Sequence, residues 1–146
     1  MLRSQRLEVV LTLERRREQE ALEQLAKARE AYQTMQQRRQ ELEDYQRDYC
    51  AQLRESQLGV VAVNRLQGLQ AFVAQLNQVL AQQQQQLDQA DARLAECRQH
   101  WQQAYQRRRG MENFIASCRQ QEQREADRRE QQEQDEAAAA AFRRRR

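Results

Sequence analysis

The chain has 146 residues, with no proline, three glycines, three cysteines and 30 glutamines. Its 25 Lys and Arg nearly cancel 22 Asp and Glu, leaving a net charge of +3, and Leu, Ile, Val and Phe together make only 26 residues. So few apolar side chains exclude a globular core of ordinary shape, and the missing turn residues exclude an all-β protein.

What remains is a long-helix protein or a disordered one, and periodicity decides between them. Length allows one domain at most. The basic N-terminus carries a short apolar run, Leu7 to Leu13, interrupted by Glu8 and followed by no small-residue cleavage site. It is therefore not read as a signal peptide. No stretch approaches the roughly 20 apolar residues of a membrane span. Cys50, Cys97 and Cys118 are odd in number, widely spaced and without a CxxC pair. A reducing cytosol is the expected setting, and the three thiols are read as inert fillers.

The first predicted helix covers about residues 4–55. Steps of four and three from Leu7 land on Leu11, Glu14, Glu18, Ala21, Leu25, Ala28, Tyr32, Met35, Arg39, Leu42, Gln46, Tyr49 and Leu53. Ten of those fourteen positions are apolar, against 39% for the chain. Such a heptad stripe makes a helical seam about 70 Å long. Gly59, the β-branched cluster Val60, Val61 and Val63, and Asn64 then disfavour helix, and the register is lost. The span of about 56–64 is read as a turn.

A second helix is expected from about residue 65. Its stripe runs Leu66, Leu69, Val73, Leu76, Leu80, Gln83, Leu87, Ala90, Leu94, Cys97, Trp101, Ala104, Arg108, Met111, Ile115 and Cys118. Disorder gives no reason for this register, so residues 1–118 are predicted to form an all-α fold, a long antiparallel two-helix coiled-coil hairpin. Folding about the turn pairs positions whose numbers sum to about 118–119, so that Leu25 faces Leu94, Ala21 faces Cys97, Tyr32 faces Leu87 and Leu42 faces Leu76. Residues 119–146 lack the stripe and are read as a polar helical extension ending in a frayed basic tail.

The sequence offers no catalytic constellation, and no cofactor or metal site is predicted. There is no Gly-rich phosphate loop and no Ser/His/Asp set, and adjacent carboxylates such as Glu43 and Asp44 point to different helix faces. The single His100 has Glu96 one turn away as an ordinary surface pair, so it is read as solvated. Arg15–Arg17, Arg107–Arg109 and Arg143–Arg146 raise nucleic-acid binding. Glu14, Glu18 and Glu20 surround the first cluster, however, and an antiparallel hairpin is not a basic zipper. The arginines are read as solvated faces and contacts to an acidic protein partner, with no nucleic acid bound.

Two anomalies point to partners. Between Ser56 and Gln86 the only ionisable side chain is Arg65. There Phe72, Leu76, Val79 and Gln83 form a second i, i+4, i+7, i+11 row beside the seam. It is either a seam widened near the turn or an exposed docking strip. At the open end Glu14, Glu18, Arg108 and Arg15 gather in the seam, where burial is expensive unless charges pair. They either set the register or fit a polar ring of another protein.

Several segments resemble the flagellar type III export protein FliJ family. They are Arg98-Gln99-His100-Trp101-Gln102-Gln103-Ala104-Tyr105, the run Asp127-Arg128-Arg129-Glu130-Gln131 with Asp135-Glu136, Gln70 to Leu76, and Tyr45 to Tyr49. The resemblance spans almost the whole chain; Ala137–Arg146 departs from it. It implies an antiparallel coiled coil similar to the central shaft of rotary ATPases. Its terminal end, with Arg15, Arg16, Arg17, Arg107, Arg108 and Arg109, would face a hexameric export ATPase (FliI-like). Phe72, Leu76, Val79 and Gln83 match the row that docks on the export-gate membrane protein (FlhA-like). The resemblance further implies dealings with substrate chaperones and a cytoplasmic location, peripheral to the inner membrane at the export apparatus without insertion into it. An injectisome ATPase stalk and a generic coiled-coil adaptor without an ATPase partner are the alternative readings.

Overall fold

A computed structural model describes residues 1–59 and 62–145. Two helices, α1 (Arg3–Leu58) and α2 (Val63–Arg144), pack against each other as an all-α coiled-coil hairpin, with no strand among the described residues. Gln, Glu, Arg, Ala and Leu dominate both helices, and all are strong helix formers that lose little side-chain freedom there. Val60 and Val61, central to the expected turn, and Arg146 of the basic run lie outside the described residues.

The helices run closer to the turn than the sequence suggested. α1 continues through Ser56 to Leu58, and α2 already includes Val63 and Asn64. First-turn N–H groups have no intrahelical partner to lose, so a β-branched residue and an asparagine cost little there. Ala62 instead receives the first bonds, its carbonyl accepting the N–H of Arg65 at 3.0 Å and of Leu66 at 3.2 Å. At the other end α2 stays helical to Arg144, with Arg143 and Arg144 in its last turn complementing the negative end of the helix dipole.

Every position of both predicted stripes is buried or half-buried, and few others are. The chain divides into two compact units, each containing a piece of both helices. The unit of Ala21–Trp101 holds the main apolar cluster, in which Leu25, Ala28, Leu94 and Cys97 are buried and Tyr32 and Trp101 pack on them. The unit of Met1–Glu20 with Gln102–Arg146 buries Leu11, Ile115 and Cys118. Its seam reaches further than the apolar stripes, to buried Ser4 and half-buried Glu122.

Leu25 and Leu94, expected to face each other, share the buried apolar cluster, while several other contacts run at a higher sum. Within the Ala21–Trp101 unit Tyr49 meets Phe72 and Gln46 donates to Asn77; within the other, Arg108 meets Glu18 and Ser4 meets Glu122. In each case the α2 partner lies later in the chain than a sum of 118–119 would place it. Part of this offset is the lean of helical side chains toward their own N-terminus, about one residue in each helix. In antiparallel helices both partners lean toward lower numbers, so tips that touch belong to residues whose numbers sum higher than those of facing backbone positions. Arg3, whose long side chain lies over the Phe114 ring at 5.1 Å, is the exception.

Candidate functional site

The region near the turn, inside the Ala21–Trp101 unit, combines low charge with unfilled space. A groove of about 450 Å³ opens there between Tyr49, Gln52 and Glu55 of α1 and Arg65, Gly68 and Phe72 of α2. A Cβ at Gly68 would meet nothing within 4 Å, so the space is open there whether or not the residue is glycine. Phe72 forms one wall. Its ring packs edge-on against Tyr49 with centroids 4.6 Å apart, yet the residue remains 40% exposed.

The predicted row divides at this point. Phe72 and Val79 face outward, Val79 being 38% exposed. Leu76 is buried in the seam and Gln83 is half-buried in it, with Gln83 Oε1 enclosed and without a hydrogen-bond partner among the described residues. Leu76 and Gln83 therefore belong to the seam, and the accessible apolar surface consists of Phe72 and Val79, beside a groove with a mainly polar lining.

Six arginines assigned to the open end lie in the unit of Met1–Glu20 with Gln102–Arg146. Three of them enter ion pairs. Arg108, half-buried, bonds to Glu18 across the seam and to both carboxylate oxygens of Glu112 at 3.0 Å. Arg15 reaches the same Glu112 at 3.5 Å, and Arg17 pairs with Glu14 at 3.2 Å. Arg16, Arg107 and Arg109 project to the surface. Pairing satisfies most of the polar seam anticipated here, which limits the cost of removing its charges from water, while Glu14 Oε2 is enclosed without a hydrogen-bond partner among the described residues.

Two further contacts close this unit. Glu8 pairs with Arg119. Glu122 takes the place of an N-cap for α1: its carboxylate accepts the Ser4 N–H at 3.0 Å and the Ser4 hydroxyl at 2.7 Å. Gln5 completes the cap by accepting the Leu2 N–H at 3.2 Å. The Ser4 hydroxyl and then its backbone N–H hold the Glu122 pKa below the usual carboxylate range, and the hydrogen bond from Arg108 does the same for Glu112. The hydrogen bonds that Arg108 donates to Glu18 and Glu112 raise its own pKa.

Depressed carboxylate pKa values stabilise the fold above the unfolded-state pKa, and that stability is lost as pH falls through the folded-state value. The melting temperature should therefore hold steady from neutral pH to the ordinary carboxylate range and fall below it. In Glu122→Gln the acid-induced fall should be smaller. Circular dichroism melts of both chains across that pH range check this.

One surface was not anticipated. On the back of α1, away from the seam, Val9 and Leu13 are exposed, Val9 to 72%, with exposed Leu2 just ahead of the helix at the same spacing. Val10 is partly exposed beside them, and Arg6 and Arg16 lie on the same face by helical spacing. The signal was available in the sequence as a second period of apolar residues off the main stripe. Large aliphatic side chains so exposed at adjacent turns mark a contact surface.

Two long helices joined along one paired seam make this a protein of the coiled-coil hairpin class. Its residues 3–146 match the family described as the Flagellar FliJ protein, and the chain belongs to that family. It is accordingly a component of flagellar type III export. No curated protein and no solved structure matches it. Among the described residues no helix is long and apolar enough to cross a membrane.

Proposed function

We propose that the protein is a central-stalk-like coupling element of the export apparatus. Its unit of paired helix ends enters a hexameric export ATPase, and the Phe72 region docks on the export-gate membrane protein. Substrate chaperones meet the same cytoplasmic hairpin, which joins the inner membrane through these partners. The protein contributes no chemistry of its own; it links ATPase states to the gate.

The observation that carries this reading is the difference between the two units. One presents an uncharged aromatic wall beside an open groove. The other presents Val9 and Leu13 amid exposed arginines, over a seam closed by ion pairs. An apolar strip rimmed by cations suits insertion into a ring lined by apolar and acidic groups. Both helices are unbroken over their lengths, so a displacement imposed on them is carried by intrahelical hydrogen bonds.

Val9→Gln together with Leu13→Gln should keep the helical content and the seam while removing the strip. Retention of this variant on an immobilised export ATPase should fall at least tenfold, and retention on the export gate should be unchanged. Equal loss on both partners would contradict the assignment of separate surfaces.

A further inference from the structure

Along most of the chain an arginine has an acid within one helical turn or across the seam. Arg39 pairs with Glu43 at 2.9 Å, Arg93 with Glu96 at 3.6 Å and Arg119 with Glu8. The last residues of the sequence break that pattern. Glu136 is the final acid, Ala137–Ala141 are uncharged, and Phe142 precedes Arg143–Arg146. In the helix Glu136 and Arg143 are separated by about 10 Å along the axis. The screening length at physiological ionic strength is about 8 Å, so upstream acids do little to cancel the field of these arginines.

Cations in a last helical turn are favoured by the helix dipole, and Arg143 and Arg144 would suffice for that role. An adjacent aromatic, 62% exposed, is not required for it. Consecutive helical residues are turned about 100° from one another, so Phe142 and the arginines ring the helix end instead of lining one face. A groove of nucleic acid or a shaped protein site reads one face. A fluid layer of anionic headgroups can surround all of them, while the phenylalanine enters the interfacial region and the arginine stems snorkel outward. Ala137–Ala141 let the helix approach such a layer without dehydrating an acid.

We infer that Phe142–Arg145, at the end of α2, binds an anionic phospholipid surface directly. This contact is separate from the apolar surfaces assigned to the ATPase and the gate, and it does not depend on either partner. Each basic residue near an anionic bilayer strengthens partitioning about fivefold.

The test is co-sedimentation of the full chain with vesicles of phosphatidylcholine and phosphatidylglycerol in equal parts, and with vesicles of phosphatidylcholine alone. The chain should bind only the anionic vesicles, less at high salt. Changing Arg143, Arg144 and Arg145 together to Gln should weaken binding about a hundredfold. Phe142→Ala should weaken it severalfold, and Arg15, Arg16 and Arg17 all changed to Gln should leave it intact. Failure of the wild-type chain to bind anionic vesicles would overturn the inference, as would undiminished binding by the Arg143–Arg145 variant. Binding to single-stranded RNA as tight as to vesicles, with Phe142→Ala without effect on either, would also overturn it in favour of a general polyanion contact.

Discussion

Leu94→Ala should lower the melting temperature by about 4–8 °C, a large effect for a single truncation in a two-helix hairpin. Leu94 is 8% exposed and lies in the cluster of Leu25, Ala28 and Cys97, covered by Tyr32 and Trp101. Removing its side chain loses the transfer free energy of the buried atoms and leaves a gap that two small neighbours, Ala28 and Cys97, cannot fill. Leu-to-Ala changes in cores cost about 2–5 kcal/mol, and a two-helix seam with solvent at its margins belongs at the low end of that range. A chain of this size loses about 2–4 °C per kcal/mol. Leu22→Ala is the control, because Leu22 stands off the seam and is 43% exposed. Its melting temperature should stay close to that of the wild type. Thermal unfolding followed by helical circular dichroism separates the two, and equal shifts would mean that the apolar cluster is not what holds the helices together.

Phe72→Ala should weaken binding to the export gate by about 30-fold or more, as expected for an aromatic anchor at the centre of a contact. The variant also loses the edge-on contact with Tyr49, a pair that contributes about 1 kcal/mol. Its melting temperature should therefore drop by only about 2–4 °C. Affinity measured by isothermal titration, with a parallel melt, distinguishes docking from packing. A large melting shift with unaltered affinity would make Phe72 a packing residue of the hairpin. Val79→Ala, which removes a smaller exposed side chain, should weaken binding less and leave melting unchanged.

The heptad seam was legible because its signal is redundant: many apolar residues at one spacing outweigh Glu14, Gln83 or Arg108 at single positions. Its ends were not legible, because Ser4 and Glu122 are polar and an apolar criterion stops at Leu7 and Cys118. Their bonding shows why polar residues serve there. The first N–H groups of α1 need an acceptor, and the facing helix supplies one in Glu122. The register was legible where apolar residues meet, as Leu25 and Leu94 do, but contacts such as Gln46 with Asn77 are made by long leaning side chains that position numbers do not locate.

The candidate sites were legible to different degrees. Loss of charge between Ser56 and Gln86 located the Phe72 region, because solvated helices otherwise carry charges every turn. It did not separate Phe72 and Val79 from Leu76, which already lay on the stripe and is buried. The strip of Leu2, Val9 and Leu13 escaped because the search for apolar residues followed the seam, and a back-face period among many arginines is weak by comparison. Arg108 has Glu112 one turn on in its own helix, a pair that spacing shows, but that Arg15 reaches the same carboxylate is visible only across the seam.

The most direct test of the coupling role is the hydrolysis rate of the hexameric export ATPase, measured as the full chain is titrated into it. The stalk reading predicts a saturable rise in ATP hydrolysis with the wild-type chain and with Phe72→Ala, and no rise with Val9→Gln and Leu13→Gln combined. A hydrolysis rate that stays flat with wild-type chain, with no retention on the hexamer, would contradict it.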